Sequence, residues 1–180
     1  VSSLEFSPLV CPPVPCTAAN AATGGSGSDR VLVDDTAEDV AQTLTLTSSR
    51  LSGVQFTGKV DYSEVETFEM NLGTGNDVVT IESTSSTTTT LFEGRDGEDT
   101  FNVETISGTT TLYGDSANPE FQVGSYSTPI VFASDVFRIG SDTGSVDPIP
   151  NSSLDLIDGG RLNVFGGAGH LDTINIYDTD

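Results

Sequence analysis

Asn71-Leu72-Gly73-Thr74-Gly75-Asn76-Asp77-Val78-Val79-Thr80-Ile81, followed by Phe92-Glu93-Gly94-Arg95-Asp96-Gly97-Glu98-Asp99-Thr100-Phe101-Asn102-Val103-Glu104, is the stretch that decides the fold. Each half is a glycine-rich turn that closes on an aspartate and opens into a short strand of β-branched and aromatic residues. Asp77 and Asp99 lie 22 residues apart, a spacing that fits one coil of a parallel β-helix. The expected fold is therefore all-β: a parallel β-helix or β-solenoid-like stack over Glu64 to Gly124, flanked by irregular strands in a sandwich-like arrangement. Val79, Ile81, Leu91, Phe101, Val103, Leu112, Phe121 and Val123 are the expected core, each worth about 1.5–3 kcal/mol when fully buried.

Upstream, Gly24-Gly25-Ser26-Gly27-Ser28-Asp29-Arg30-Val31-Leu32 fits the glycine-rich nonapeptide G-G-x-G-x-D-x-U-x at every specified position. Thr43 to Thr47 alternates Thr and Leu as a half-buried strand does. Leu51 to Thr57, Val60 to Tyr62 and Val65 to Leu72 read as further strands. Downstream, Ser83 to Thr90 is an almost unbroken hydroxyl run, suited to a ladder of threonines or to O-linked sugar on Thr87, Thr88, Thr89 and Thr90. Thr109 to Thr111 returns one coil later, and Glu120 stands where the next closing aspartate is expected. Ile130 to Phe132 and Val136 to Ile139 read as two more strands, and the segment up to Pro150 as an excursion. Asn151-Ser152-Ser153 is an N-glycosylation sequon in a loop setting. Gly166 to Asp178 then repeats the pattern of Gly24 to Asp35 with one residue inserted. Its closing Asp172 lies 143 (172 − 29) residues after Asp29, which predicts a second, longer period whose next unit begins in the last residues.

Composition bounds the role. Six Lys and Arg face 27 Asp and Glu, a formal charge of −21, which repels nucleic acid and anionic lipid and attracts divalent cations or basic partners. No apolar run is long enough to span a membrane as a helix. Residues 1–23 read as a Pro/Ala-rich arm or linker, and 24–180 as the β-repeat module. Val1 reads as a processed or truncated start. Cys11 and Cys16 bracket Pro12-Pro13-Val14-Pro15, and an oxidised pair in such a loop fits an extracellular or cell-surface protein.

The turns resemble the glycine- and aspartate-rich repeats of the repeats-in-toxin (haemolysin-type calcium-binding) family and, more broadly, long modular surface proteins built of β-helical repeats. Gly24 to Val33 carries the full match. Leu72 to Thr80 lacks the first glycine, Gly94 to Asn102 the second, and Gly166 to Ile174 has an insertion. The resemblance implies calcium held between stacked turns by Asp77, Asp99, Asp96, Asp29 and Asp172. The chain departs from that family in keeping its nonapeptides 22 or more residues apart, and a calcium ion needs six to eight oxygens. An aspartate at a turn end also caps backbone N–H groups without any metal. Nothing resembles a nucleophile elbow or a histidine-based triad around His170, the one histidine, so no enzyme is expected. The expected function is a structural module of an extracellular fibre, surface array or adhesin that assembles end to end with copies of itself. The alternative is a calcium- or glycan-binding module of a secreted repeat protein.

Overall fold

The computed structural model describes residues 9–10, 19–53, 59–114, 135–139, 160–166 and 172–176. Among them are fourteen strands and no helix. In chain order they are β1 (Leu9–Val10), β2 (Ala19–Thr23), β3 (Arg30–Asp34), β4 (Thr43–Thr47), β5 (Arg50–Gly53), β6 (Lys59–Ser63), β7 (Thr67–Asn71), β8 (Val78–Ile81), β9 (Thr89–Glu93), β10 (Thr100–Val103), β11 (Thr110–Tyr113), β12 (Val136–Ile139), β13 (Leu162–Phe165) and β14 (Thr173–Ile176). The chain deals these strands to two sheets. The first has the order β1-β3-β7-β9-β11-β13, and the second β14-β12-β10-β8-β4-β5-β6-β2. Every pairing is parallel except β4 with β5 and β5 with β6.

Period-2 alternation explains the layering. β7, Thr-Phe-Glu-Met-Asn, buries Phe68 and Met70 and turns Thr67, Glu69 and Asn71 outward, and β4 does the same with Leu44 and Leu46. Parallel in-register pairing stacks equal positions on one another. Thus Leu44, Val79, Phe101 and Phe137 form one inward row of the second sheet, each at most 1% exposed. Side chains from both sheets share one core. Through it runs an aromatic column. Tyr62 stacks on Phe68 at 4.8 Å, Phe68 meets Phe92 at 6.2 Å, Phe92 meets Phe101 edge-on at 6.3 Å, and Phe101 stacks on Phe137 at 5.3 Å.

Several expectations change here. Residues 9–10 and 19–23 of the expected arm are strands in the two sheets, while Cys11 and Cys16 lie outside the described residues. The flanking strands belong to these same sheets. β5 and β6 form an antiparallel insertion that separates β2 from β4, where a plain stack would pair them directly. Leu91 is half-buried and faces outward between Glu69 and Thr111, and its neighbour Phe92 takes the core position between Met70 and Leu112. Phe121, Val123 and Glu120 lie outside the described residues. The spacing of 22 holds from β7 to β9 and from β8 to β10, whereas β10 and β12 are joined through residues 104–135.

Candidate functional site

The first-to-second-sheet turns share one corner, and the aspartates that close them form a column there. Asp77, Asp99, Asp135 and Asp172 each stand one residue before a strand of the second sheet. Because β8, β10, β12 and β14 pair in register, each carboxylate reaches the backbone of the neighbouring turn. Asp77 Oδ1 accepts the Gln42 N–H at 2.7 Å, Asp99 Oδ1 that of Asp77 at 2.9 Å, Asp135 Oδ1 that of Asp99 at 3.0 Å, and Asp172 Oδ1 that of Asp135 at 3.2 Å. The strands alone leave these N–H groups without a ladder partner, and the side chains supply the acceptor.

The glycines follow from the same geometry. A Cβ on Gly94 would lie 2.2 Å from Asp99 Oδ2 and 2.1 Å from the Gly114 carbonyl, and one on Gly166 would lie 2.1 Å from Asp172 Oδ2. The carboxylate folds back over the start of its own turn, where a side chain would stand. Gly97 has φ of 130° and Arg95 of 73°, so the turn bends through two left-handed residues.

Burial dominates the electrostatics at Asp77. The carboxyl of Asp77, a residue 1% exposed, is pushed up to about 6 by desolvation, against the opposing N–H groups of Gln42 and Gly73. Its Oδ2 is buried beside Gly73 without a hydrogen bond of normal geometry. Asp35 is likewise pushed up to about 6, first by burial and then by Glu38, Asp77 and Asp34. These four carboxylates gather where residues 35–42 pack on the Asp77 turn, held by the Thr74 N–H on the Glu38 carbonyl at 3.0 Å.

Of the five aspartates expected to hold calcium, the structure brings Asp77, Asp99 and Asp172 into one column. Asp96 is exposed at the tip of its turn, beside Glu98, whose N–H binds Asn76 Oδ1 at 3.1 Å. Asp29 lies elsewhere: its turn joins β2 to β3, entering the first sheet, and its N–H binds Glu66 Oε2 at 2.7 Å. The two similar stretches of sequence therefore lead into different sheets, Asp29 standing just before β3 of the first and Asp172 just before β14 of the second. Among the described residues no group of three or more His, Cys, Asp or Glu side chains is placed to hold a metal ion.

Sequence reasoning missed Asp135. The signal is nonetheless present: Asp135-Val136-Phe137-Arg138-Ile139 repeats Asp99-Thr100-Phe101-Asn102-Val103, with apolar residues at the second and fourth positions after the aspartate. The glycine-rich turn that marks the other copies does not directly precede it.

The returning corner uses threonine. Thr84 Oγ1 accepts the N–H groups of Ser107 at 3.0 Å and Gly108 at 3.2 Å, and the Thr88 hydroxyl donates to the Val65 carbonyl at 2.8 Å. Thr88 and Thr90 are buried, at 4% and 1% exposure, so of the four threonines expected to carry sugar only Thr87 and Thr89 are exposed. Asn151 lies outside the described residues.

Comparison with protein-family models, curated proteins and solved structures returns no match. The fold thus defines an all-β protein of two mostly parallel sheets, and the likeness to toxin repeats rests on the turn residues alone. Among the described residues no helix is long and apolar enough to cross a membrane.

Proposed function

We propose that the two sheets are the walls of a β-solenoid and that the protein is a structural module of an extracellular fibre, surface array or adhesin, joined end to end to its neighbours. The observation that carries this reading is the shape of the core. It is a set of rows along the stacking direction, from Leu44 through Val79 and Phe101 to Phe137, and each rung touches mainly the rungs beside it. A core of this kind grows by addition of rungs and has no natural size limit, which suits a part whose work is length and stiffness. The Asp column serves the same end by closing each turn onto the next. The charge of −21 keeps the flanks solvated and discourages sideways association.

The test is to join two, three and four copies covalently and image them by electron microscopy, with circular dichroism followed in chelator. The expected result is straight rods whose length rises in proportion to copy number and a β signal indifferent to chelator. Beads on a flexible string would contradict the scaffold, and loss of the β signal in chelator would favour the calcium-binding module.

A further inference from the structure

We propose that residues 35–42, the link from β3 to β4, form a pH-dependent strap, closed on the Asp77 turn in acid and released from it towards neutral pH while both sheets stay folded. The strap is a property of one corner and does not depend on the scaffold reading.

This link differs from the two that follow it. Residues 72–77 and 94–99 also carry the chain from the first sheet to the second, with glycines at the bend and an aspartate at the close. Residues 35–42, Asp-Thr-Ala-Glu-Asp-Val-Ala-Gln, have no glycine, number eight against six, and end on Gln42 where the others end on Asp77 and Asp99. Their anchoring is polar. Only Asp35 and Gln42 are buried, each 7% exposed, whereas Ala37, Val40 and Ala41 are exposed, so no apolar side chain of the link is buried. Hydrogen bonds hold it: the Asp35 N–H donates to the Asn71 carbonyl at 2.9 Å, the Thr74 N–H to the Glu38 carbonyl at 3.0 Å, and the Gln42 N–H to Asp77 Oδ1 at 2.7 Å. Glycine permits the close approach, since a Cβ on Gly73 would lie 2.0 Å from the Glu38 carbonyl oxygen and one on Gly75 2.6 Å from the Ala41 nitrogen. A segment fastened by backbone hydrogen bonds without buried apolar contacts opens locally, at less free energy than the whole fold.

Closure buries Asp35 and Asp77 together, and no Lys, Arg or His side chain acts on either. The charged groups that face them are all acidic. Asp34 at the end of β3, Glu38 in the strap and Asp77 act on Asp35, and from the next turn Asp99 Oδ1 accepts the Asp77 N–H. Two buried carboxylates without a cation resist ionising, whereas opening returns them to water. Closed, both sit at about 6 against the ordinary 3.8, so the closed form binds protons more tightly. Closure is therefore fully favoured below 3.8 and is lost as pH rises through 6. Over that span opening becomes about a hundredfold easier for each carboxyl that ionises.

Amide hydrogen exchange of the full chain, followed by NMR from pH 4.5 to 7.5 and corrected for the intrinsic rate, reads the strap directly. The Gln42 and Thr74 amides are expected to lose protection about a hundredfold across this range. At pH 7.5 their exchange should be unmoved by low urea, because local opening exposes little surface. The amides of Phe92 and Phe101, inside the sheets, are expected to stay far better protected and to respond to urea. Asp35→Asn should keep the strap closed at pH 7.5 and flatten its pH profile, and Asp39→Asn, on an exposed carboxylate of the same segment, should leave the profile as in the native chain. Gln42 and Thr74 amides whose protection is independent of pH, or that share the urea response of the core amides, overturn the strap. So does an Asp35→Asn variant with the native pH profile.

Discussion

Exchanging Phe92 and Leu91 for alanine, one at a time, tests which way β9 faces. The two neighbours are both apolar, and only the fold tells them apart. Phe92 is 0% exposed and its ring meets those of Phe68 at 6.2 Å and Phe101 at 6.3 Å. Truncating such a phenylalanine costs about 3–5 kcal/mol through lost transfer energy and the cavity left behind. Two ring pairs disappear with it, each worth about 0.5–1.5 kcal/mol beyond the buried area, which places Phe92→Ala in the upper half of that range. Leu91 faces outward, in register with Glu69 and Thr111, and Leu91→Ala should cost less than about 1 kcal/mol. In a chain of this size about 4 kcal/mol lowers Tm by roughly 8–16 °C. Thermal and urea unfolding followed by circular dichroism read both variants. If Leu91→Ala is as damaging as Phe92→Ala, β9 is set one residue out of register and the core described above is wrong.

Other outcomes follow from the corners. Gly94→Ala forces a Cβ to within 2.2 Å of Asp99 Oδ2 and 2.1 Å of a backbone carbonyl, and should lose about 1–3 kcal/mol in urea unfolding. Gly25→Ala meets nothing within 4 Å, and its midpoint should move little. Thr84→Val strands two N–H groups, of Ser107 and Gly108, and is expected to cost about 1–3 kcal/mol, whereas Thr87→Val on the exposed side of the same turn should be near neutral in the same assay. The pH dependence runs opposite to ordinary acid denaturation. Asp35 and Asp77 sit at about 6 in the folded protein against 3.8 when exposed. The folded state therefore binds these protons more tightly, and their contribution is fully present below 3.8 and is lost as pH rises through 6. Tm should climb as pH falls from 7.5 towards 4.5, and Asp35→Asn should flatten that slope. A Tm that falls steadily over this range would contradict the burial of these carboxylates.

Much of this fold is legible in the sequence because its signals are local. The glycine and aspartate turns announce themselves by composition, and β4, β7, β8 and β10 by strict alternation. What escaped was decided at a distance. Leu91 and Phe92 are adjacent and apolar, so alternation alone cannot choose between them, and the choice is made by Met70 and Leu112 on the neighbouring strands. Asp135 completes the column although the segment before it is long, because register with Phe101, and not turn length, places it. Residues 19–23 read as a linker by their alanines, yet pairing with β6 makes them a strand. The turn ending at Asp29 looks like the others because its local chemistry is the same, and only topology assigns it to the opposite corner. The aspartates read as metal ligands are, in three cases of five, acceptors for a neighbouring turn's N–H group.

That column is the feature on which the stacking stands, and it is open to direct measurement. In a uniformly labelled sample, NMR detects scalar coupling across a hydrogen bond from an amide nitrogen to the carboxyl carbon that accepts it. Couplings are expected from Asp77 to Asp99, from Asp99 to Asp135 and from Asp135 to Asp172, with all three donor amides protected from exchange. Rapidly exchanging amides at these positions, with no coupling to the neighbouring aspartate, would show that the turns are not stacked as described.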